Sequence, residues 1–142
     1  MTTAITIAAA QKILDDLFAP WVLATGIRVE TTGADLATLR IPFDKKLCRV
    51  GGMMCGQTLV TGADTAMVIA LASQMGNAFR PVPTIDLTIN YMRPVTGGDA
   101  VFAAKVMRLG TTLAFCTCEV ADARGRLAAF ATGTYAIPAA GA

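Results

Sequence analysis

The strongest constraint on the fold of this chain is one long apolar segment near its middle. Residues 51–75 read GGMMCGQTLVTGADTAMVIALASQM, and Asp64 is the only charged residue among them. At helical spacing the apolar side chains cover nearly the whole circumference, which is typical of a helix enclosed by other elements. Burial of an ionised carboxylate costs several kcal/mol unless the group is paired or hydrogen-bonded. The segment therefore predicts a buried central helix in which Asp64 has a specific partner or task.

The flanking segments predict one further helix and six strands. An amphipathic helix is predicted over residues 4–18, ending before Pro20. Strands at 22–30 and 36–43 follow, with TTGAD as their hairpin turn. After the central helix, period-two patterns joined by short turns predict antiparallel strands at 85–92, 100–108, 112–121 and 127–137. We therefore expect one α+β domain spanning residues 1–142, an antiparallel sheet curled around the central helix.

Strict alternation divides the strand at 85–92 into two faces. One face carries Ile85, Leu87, Ile89 and Tyr91. The other face carries Asp86, Thr88, Asn90 and Met92.

Composition predicts that copies of this chain associate. Hydrophobic residues make up 54% of the chain and charged residues only 15%, against about a quarter charged in a typical globular domain. A single globule of this size leaves part of that apolar surface uncovered, so some of it is expected at a subunit interface.

Composition also narrows the class of partner. The net charge is +2, and no basic cluster exceeds the Lys45-Lys46 pair, so nucleic-acid binding is not expected. The longest apolar stretch, residues 66–72, falls far short of the roughly 20 residues that span a bilayer. The amino terminus also lacks the basic start of a secretory signal. We expect a cytoplasmic protein that binds neither nucleic acid nor membrane.

The side chains available for chemistry are limited. The chain has no histidine, which removes Ser-His-Asp and Cys-His catalysis and the commonest metal ligand. The four cysteines match no zinc-binding pattern, and they are Cys48, Cys55, Cys116 and Cys118. We expect no metal or redox cofactor, so any chemistry must come from carboxylates, thiols, hydroxyls or backbone groups.

A polar stripe runs along the predicted central helix. Gln57, Thr61, Asp64 and Thr65 fall at positions i, i+4, i+7 and i+8 and therefore share one face. This pattern predicts a cavity or an interface along that face. The other interpretation is a structural carboxylate hydrogen-bonded to neighbouring hydroxyls or strand amides, and the pattern alone does not choose between them.

Glycines near the start of the helix suggest a site for negative charge. Gly51, Gly52 and Gly56 are expected around the first turn, where backbone N–H groups lack intrahelical partners. Glycine permits close approach of a ligand, and the positive end of the helix dipole favours an oxyanion. The alternative is that these glycines only end a loop.

The distance between the two features predicts a composite site. Eight residues of helix separate Gly56 from Asp64, which is about 12 Å. Catalytic contacts require about 3 Å, so one small reacting group cannot touch both residues of one copy. Two antiparallel helices about a two-fold axis would bring Gly56 of one subunit close to Asp64 of the other.

Three segments together resemble a known family. GGMMCGQTLVTGADTAM, TIDLTINYMRP and GRLAAFATGTYAI are similar to the PaaI-type acyl-CoA thioesterases of the hotdog superfamily. The resemblance extends over roughly residues 35–137. It implies a hotdog fold, hydrolysis of an acyl-CoA or aryl-CoA thioester, and homodimers with interfacial sites that often pair into tetramers.

The resemblance also implies residue roles. Family members have a His-Gly-Gly triplet ahead of a catalytic acid; here Cys55-Gly56-Gln57 occupies the triplet and Asp64 the acid position. The Gly56 N–H would polarise the thioester carbonyl. Asp64 would activate water or attack the carbonyl directly, forming a mixed anhydride. The replacement of the usual histidine by Cys55 and of the second glycine by Gln57 departs from the family pattern.

Several residues are candidates for substrate contact: Cys55, Gln57, Thr61, Asn90, Arg93 and Arg108. Asn90 and Arg93 end a predicted strand and Arg108 precedes a turn, so solvated surface is the alternative for all three. The phosphates of CoA require basic partners. The available basic residues are Lys45, Lys46, Arg80, Arg93 and Arg108.

Cysteine chemistry offers a competing interpretation. Cys55 at a helix amino terminus could be a thiol nucleophile, although the chain has no histidine to act as its base. Cys116 and Cys118 share one strand face and are expected as small core residues.

Two other functions stay open from the sequence. A hydratase or dehydratase on the same fold is one, although that chemistry in hotdog relatives uses histidine. A non-catalytic protein that binds or senses acyl-CoA is the other, because the family triplet is altered.

Overall fold

A single antiparallel sheet curls around one long helix, as shown for residues 4–140 by a computed structural model of the protein. The strands are β1 (Arg28–Thr32), β2 (Leu36–Ile41), β3 (Thr84–Tyr91), β4 (Ala100–Leu109), β5 (Leu113–Ala121) and β6 (Leu127–Ala136). The helices are α1 (Ile7–Leu17), α2 (Pro20–Leu23) and α3 (Gly56–Met75), with short 3-10 turns at Lys45–Leu47 and Gly76–Ala78. Across the sheet the order is β1-β2-β4-β5-β6-β3. This arrangement confirms the predicted α+β hotdog fold with an N-terminal helix.

The central helix α3 is buried because the sheet surrounds it. Met67, Ile69 and Leu71 have no exposed surface, as expected of a helix that is apolar on nearly every side. Gly62 lies where α3 crosses β4, and a Cβ atom there would lie 2.2 Å from the Phe102 ring. The helix therefore approaches the sheet more closely than a residue with a side chain would allow.

The predicted strand at 22–30 is wrong over its first six residues. Residues Pro20–Leu23 form α2 instead, and β1 begins only at Arg28. Pro20 is the first residue of α2, where its missing N–H leaves no hydrogen bond unmade and its fixed φ suits a helix. The apolar run after the proline is therefore helical. Over so few residues, hydrophobic periodicity does not distinguish a helix from a strand.

The other predicted elements are confirmed with small differences at their ends. The predicted helix at 4–18 begins at Ile7, where the Thr6 hydroxyl accepts a hydrogen bond from the Ala9 N–H at 3.0 Å. The remaining strands differ from the predicted bounds by one or two residues, which is the usual uncertainty of element ends. Cys116 and Cys118 are buried on β5, as expected of small core residues.

The two edge strands of the sheet differ in whether another element covers them. At β1, the Val29 N–H donates to the Gln11 side chain of α1 at 2.8 Å, so α1 covers that edge. At β3, the apolar side chains of Ile85, Tyr91 and the adjoining Met92 are each more than half exposed. A long, apolar, uncovered edge strand is a surface on which another strand can pair.

Within residues 4–140, none of the helices is both long enough and apolar enough to cross a lipid bilayer.

Candidate active site

Asp64 is held by two hydroxyl groups that meet at one of its oxygens. The Tyr135 hydroxyl donates to Asp64 Oδ1 at 2.8 Å, and the Thr84 hydroxyl donates to the same oxygen at 3.3 Å. Oδ2 has no hydrogen-bond partner among residues 4–140, and no cationic side chain in that range pairs with this carboxylate. Asp64 is half-buried. One oxygen is therefore fixed, and the other is free to act on a bound molecule.

A β-bulge places Thr84 beside Asp64. Thr84 pairs with Tyr135, but two residues later Asp86 pairs with Thr134, so Ile85 is an extra residue in β3. A bulge of this kind reverses the alternation of side chains. Thr84 consequently lies on the same face as Tyr135, toward α3, while Asp86 lies on the outer face of the sheet.

Tyr135 donates its hydrogen bond to Asp64 from a buried position. Its side chain is fully buried. Burial, together with the negative charge of Asp64, raises the pKa of Tyr135 far above its usual range. The phenol therefore stays protonated near neutral pH and can donate to the carboxylate.

The amino terminus of α3 presents an unpaired amide. Cys55 precedes the helix and Gly56 is its first residue; the Gly56 N–H has no acceptor within the described part of the chain. Tyr91 of β3 closes over this turn, since its hydroxyl donates to the Gly56 carbonyl at 2.9 Å. A Cβ on Gly56 would lie 3.2 Å from the Tyr91 ring. The absence of a side chain at Gly56 therefore lets Tyr91 and the helix start lie together.

The expectation that Gly51 and Gly52 flank the first turn of the helix is wrong. Both residues lie in a separate turn before Cys55, with φ angles of +103° and +85°. These left-handed conformations favour glycine. Of the three glycines, only Gly56 belongs to the helix start, and the other two shape the loop that leads into it.

Among residues 4–140, no basic side chain forms a hydrogen bond with the Cys55 thiol. Its Sγ lies 3.1 Å from the Thr58 hydroxyl, and that hydroxyl donates in turn to the Leu47 carbonyl at 3.1 Å. Burial opposes ionisation, but hydrogen bonds from the Thr58 side chain and from nearby backbone amides outweigh it and lower the pKa of Cys55. None of these neighbouring groups is a base that could take the thiol proton.

An apolar cavity opens beside Asp64. Its volume is about 190 Å³, and we call it the inner chamber. Apart from Asp64 and Thr84, its lining is entirely apolar and comprises Leu17, Phe18, Val68, Phe79, Pro81 and Val82. A carboxylate at the wall of an apolar chamber suits a reaction on a polar bond that carries an apolar group.

Comparison with known proteins decides the family. The family model described as the thioesterase superfamily matches residues 51–129, more than half of the chain. This chain belongs to the thioesterase superfamily. It is 32% identical over 101 residues to a Saccharolobus solfataricus protein named "Putative esterase SSO2140", which covers 71% of each chain. Membership supports hydrolysis of a thioester as the general chemistry.

Solved structures share the fold of this thioesterase-superfamily chain. A thioesterase family protein from Silicibacter pomeroyi is 27% identical, with a TM-score of 0.80 over 89% of this chain and 96% of that one. The thioesterase HI1161 from Haemophilus influenzae has a TM-score of 0.84 over 96% of this chain and 94% of that one. At 20% identity, the Haemophilus structure supports the fold alone.

The polar stripe of this thioesterase-superfamily chain meets two separate cavities. Gln57 and Thr61 line a cavity of about 310 Å³ together with Trp21 and Lys46, here called the helix-start cavity. Asp64, one to two turns further along α3, lines the inner chamber instead. The Thr61 hydroxyl donates to the Gln57 carbonyl at 2.7 Å, so this side chain is occupied within its own helix.

Three predicted contact residues lie far from the inner chamber within one copy. Asn90 pairs with Phe130 on the outer face of the sheet, opposite to α3. Arg93 and Arg108 are exposed, the first just after β3 and the second on β4. None of the three lines the inner chamber. Residues 4–140 also contain no cluster of three side chains suited to binding a metal ion.

Sequence reasoning missed Thr84, Tyr135 and Tyr91. All three lie inside the motifs that carry the family resemblance, TIDLTINY and GTYAI, but nothing in the spacing links them to Asp64. Their contacts depend on the register of β3 with β6 and on the bulge at Ile85. The available signal was a set of hydroxyl side chains in strands otherwise rich in apolar residues.

Proposed function

We propose that this protein is a cytoplasmic PaaI-type thioesterase that hydrolyses an acyl-CoA or aryl-CoA thioester to the free acid and CoA. One observation carries the proposal: Asp64 lines an apolar chamber, with one oxygen fixed by two neutral donors and the other without a partner among residues 4–140. Such a carboxylate stays available for chemistry, whereas one neutralised by a cation would not.

The chemistry requires a base or nucleophile and an oxyanion donor. As a base, Asp64 Oδ2 takes a proton from water while the water oxygen attacks the thioester carbonyl carbon. The carbonyl oxygen then carries negative charge, which a free backbone amide at a helix start stabilises. Collapse of this intermediate breaks the C–S bond, and the CoA thiolate leaves and takes up a proton. As a nucleophile, Asp64 would instead form a mixed anhydride, which water then hydrolyses.

The oxyanion donor comes from a second copy in this proposal. Within one α3 helix, Gly56 and Asp64 are about 12 Å apart along the axis. The open edge of β3, with Ile85 and Tyr91 exposed, supports antiparallel pairing of two β3 strands about a two-fold axis. That pairing would bring the Gly56 N–H of the partner subunit to Asp64, giving two sites per dimer. Such dimers would be able to pair again into a tetramer.

The two cavities accommodate the two halves of the substrate. The acyl or aryl group lies in the inner chamber beside Asp64. The pantetheine arm then follows the partner's helix-start cavity, where Gln57 offers an amide and Lys46 a positive charge. Cys55 and Thr61 border the same region, while Asn90, Arg93 and Arg108 stay candidates for the outer parts of CoA. No metal or redox cofactor takes part.

A panel of acyl-CoA and aryl-CoA substrates, monitored for release of free thiol, tests the proposal. We expect Asp64→Asn to lower kcat by about a hundredfold to ten-thousandfold. Cys55→Ala should retain kcat within a few-fold, because the oxyanion donor is a backbone amide. Matching circular dichroism spectra and thermal midpoints would show that both variants fold.

Other outcomes of the same panel would contradict the proposal. Tight binding of acyl-CoA by the wild type without turnover would identify a non-catalytic binding protein, an alternative supported by Cys55 and Gln57 in the family triplet. Loss of turnover in Cys55→Ala alone would identify a thiol nucleophile.

A further inference from the structure

A second, larger cavity adjoins the inner chamber. It lies between α1 and the end of α3, has a volume of about 430 Å³, and is called here the outer groove. Its lining includes Ile5, Ala9 and Ile13 from the amino-terminal segment. Leu17, Phe79 and Pro81 line the outer groove and the inner chamber alike. These three shared residues therefore form the wall between the two spaces.

The outer groove suits an uncharged, apolar occupant. The charged residues in its lining, Lys12 and Asp16, pair with each other at 2.8 Å. Leu17 is 48% exposed despite lying between the two cavities, so a bound apolar group would cover surface that water now contacts. About 0.8 kcal/mol is gained for each methylene buried in such a place, or roughly fourfold in affinity.

The sizes of the cavities distinguish short from long occupants. An engineered apolar cavity of about 150 Å³ binds one benzene ring. The inner chamber, at about 190 Å³, therefore accommodates an aryl group or a short acyl chain. A long acyl chain that begins at Asp64 has to continue elsewhere, and the outer groove offers more than twice that volume, about 430 Å³.

We propose that the outer groove receives the distal part of a long acyl chain, and that Phe79 with Leu17 controls passage into it. This inference rests on the proposed function, because it assumes that the thioester lies at Asp64. Phe79 packs against the core from the segment after α3, so its ring is a defined wall and not a mobile surface side chain. The helix α1 then has a task beyond covering β1, because the face of α1 that carries Ala9 and Ile13 contacts the acyl chain.

We call Phe79 and Leu17 together the gate. It can be tested without turnover by measuring the binding of non-hydrolysable S-alkyl-CoA thioethers, from butyl to hexadecyl. Ala9→Trp places a large ring in the outer groove from an exposed helix position. We expect it to lower the ratio of long-chain to short-chain affinity by about tenfold or more. Ala8→Trp is the matched control, because Ala8 is exposed on the same helix and does not line the groove. It should leave the ratio unchanged.

Phe79→Ala tests the wall itself. We expect the long-to-short ratio to rise about tenfold or more, while Phe115→Ala, a change on the outer face of the sheet, should not alter it. Because Phe79 is partly buried, thermal unfolding is used to check that the Phe79→Ala variant folds. If that variant does not fold, Ala9→Trp still tests the proposal.

The outcomes separate the gate from the proposed function. If Ala9→Trp shows the same chain-length ratio as Ala8→Trp, the gate is wrong, even if thioesters are hydrolysed. A change of oligomeric state in Ala9→Trp without a change in that ratio would assign the groove to an interface between copies and overturn the proposal. If the ratio shifts as expected while no thioester is hydrolysed, the gate stands and the proposed function fails.

Discussion

Two carboxylates, Asp122 and Asp64, differ in how completely their charge is satisfied, and we propose a structural role for the first and a chemical role for the second. Asp122 lies in the β5–β6 turn and is 5% exposed. It accepts hydrogen bonds from the Arg124 and Arg126 backbone amides at 3.0 and 2.9 Å, and from the Arg126 guanidinium at 2.9 Å. Both oxygens and the charge of Asp122 are therefore satisfied by its own turn.

Asp64 is satisfied at one oxygen only. Tyr135 and Thr84 both donate to Oδ1, and both donors are neutral. No described residue neutralises the charge, and Asp64 lines a largely apolar chamber. The two carboxylates therefore differ in neutralisation, since Asp122 has a cationic partner and Asp64 has only neutral donors; on this difference we propose the chemical role for Asp64.

The contrast predicts that Tyr135 positions Asp64. Among variants at Tyr135, Thr84 and Asp122, loss of the Tyr135 hydroxyl should therefore lower kcat the most. Tyr135→Phe removes a hydrogen bond to a charged group, which is worth about 1.5–3 kcal/mol, so kcat should fall by about tenfold to a hundredfold. The fall should appear in kcat with KM nearly unchanged, because the lost donor fixes Asp64 and does not touch the substrate. A lower thermal midpoint with kcat unchanged would assign Tyr135 a structural role only.

A smaller effect is expected at Thr84. Its hydroxyl lies 3.3 Å from the same oxygen and the residue is exposed, so Thr84→Val should lower kcat by about threefold to tenfold. Since both hydroxyls act on one oxygen, their effects should not be additive. Kinetics of the two single variants and the double variant measure this coupling, and strict additivity would contradict a shared role.

The smallest effect on catalysis is expected at Asp122. The hydrogen bond from the Arg126 backbone amide lowers the pKa of Asp122 below its usual value of 3.8. Burial of Asp122 opposes this shift, and the hydrogen bond from the Arg126 side chain adds to it. The folded state thus binds fewer protons than the unfolded state, so this stabilisation is present above about pH 4 and is lost as pH falls below it.

Urea unfolding of the wild type and Asp122→Asn, measured between neutral pH and about pH 3, checks this expectation. The variant should be less stable near neutrality and should lose less stability on acidification, with kcat unchanged. A fall in kcat as large as that of Tyr135→Phe would remove the distinction between the two carboxylates.

Much of the fold was predictable because helix and strand periods differ and because one segment was too apolar to lie at the surface. The helix through Asp64 and the last strands were identified on these grounds. The strand predicted at 22–30 failed because Pro20 begins a short helix, and a few apolar residues after a proline carry no clear period.

The site was predictable only in part. Asp64 was identifiable as a lone charge in an apolar helix, but Thr84 was not, because the bulge at Ile85 reverses the alternation on which strand faces are predicted. Tyr135 depends on the register between distant strands, which local patterns do not specify. Asn90 followed the alternation and therefore lies on the outer face, away from Asp64 in the same copy.

The contact between Gly62 and Phe102 has a consequence for how a substrate reaches Asp64. With the helix backbone seated directly on an aromatic ring, α3 cannot turn or slide without a steric clash. The backbone that carries Asp64 is therefore held in register with the sheet, and a substrate has to adapt to the position of the carboxylate by entering the cavity beside it.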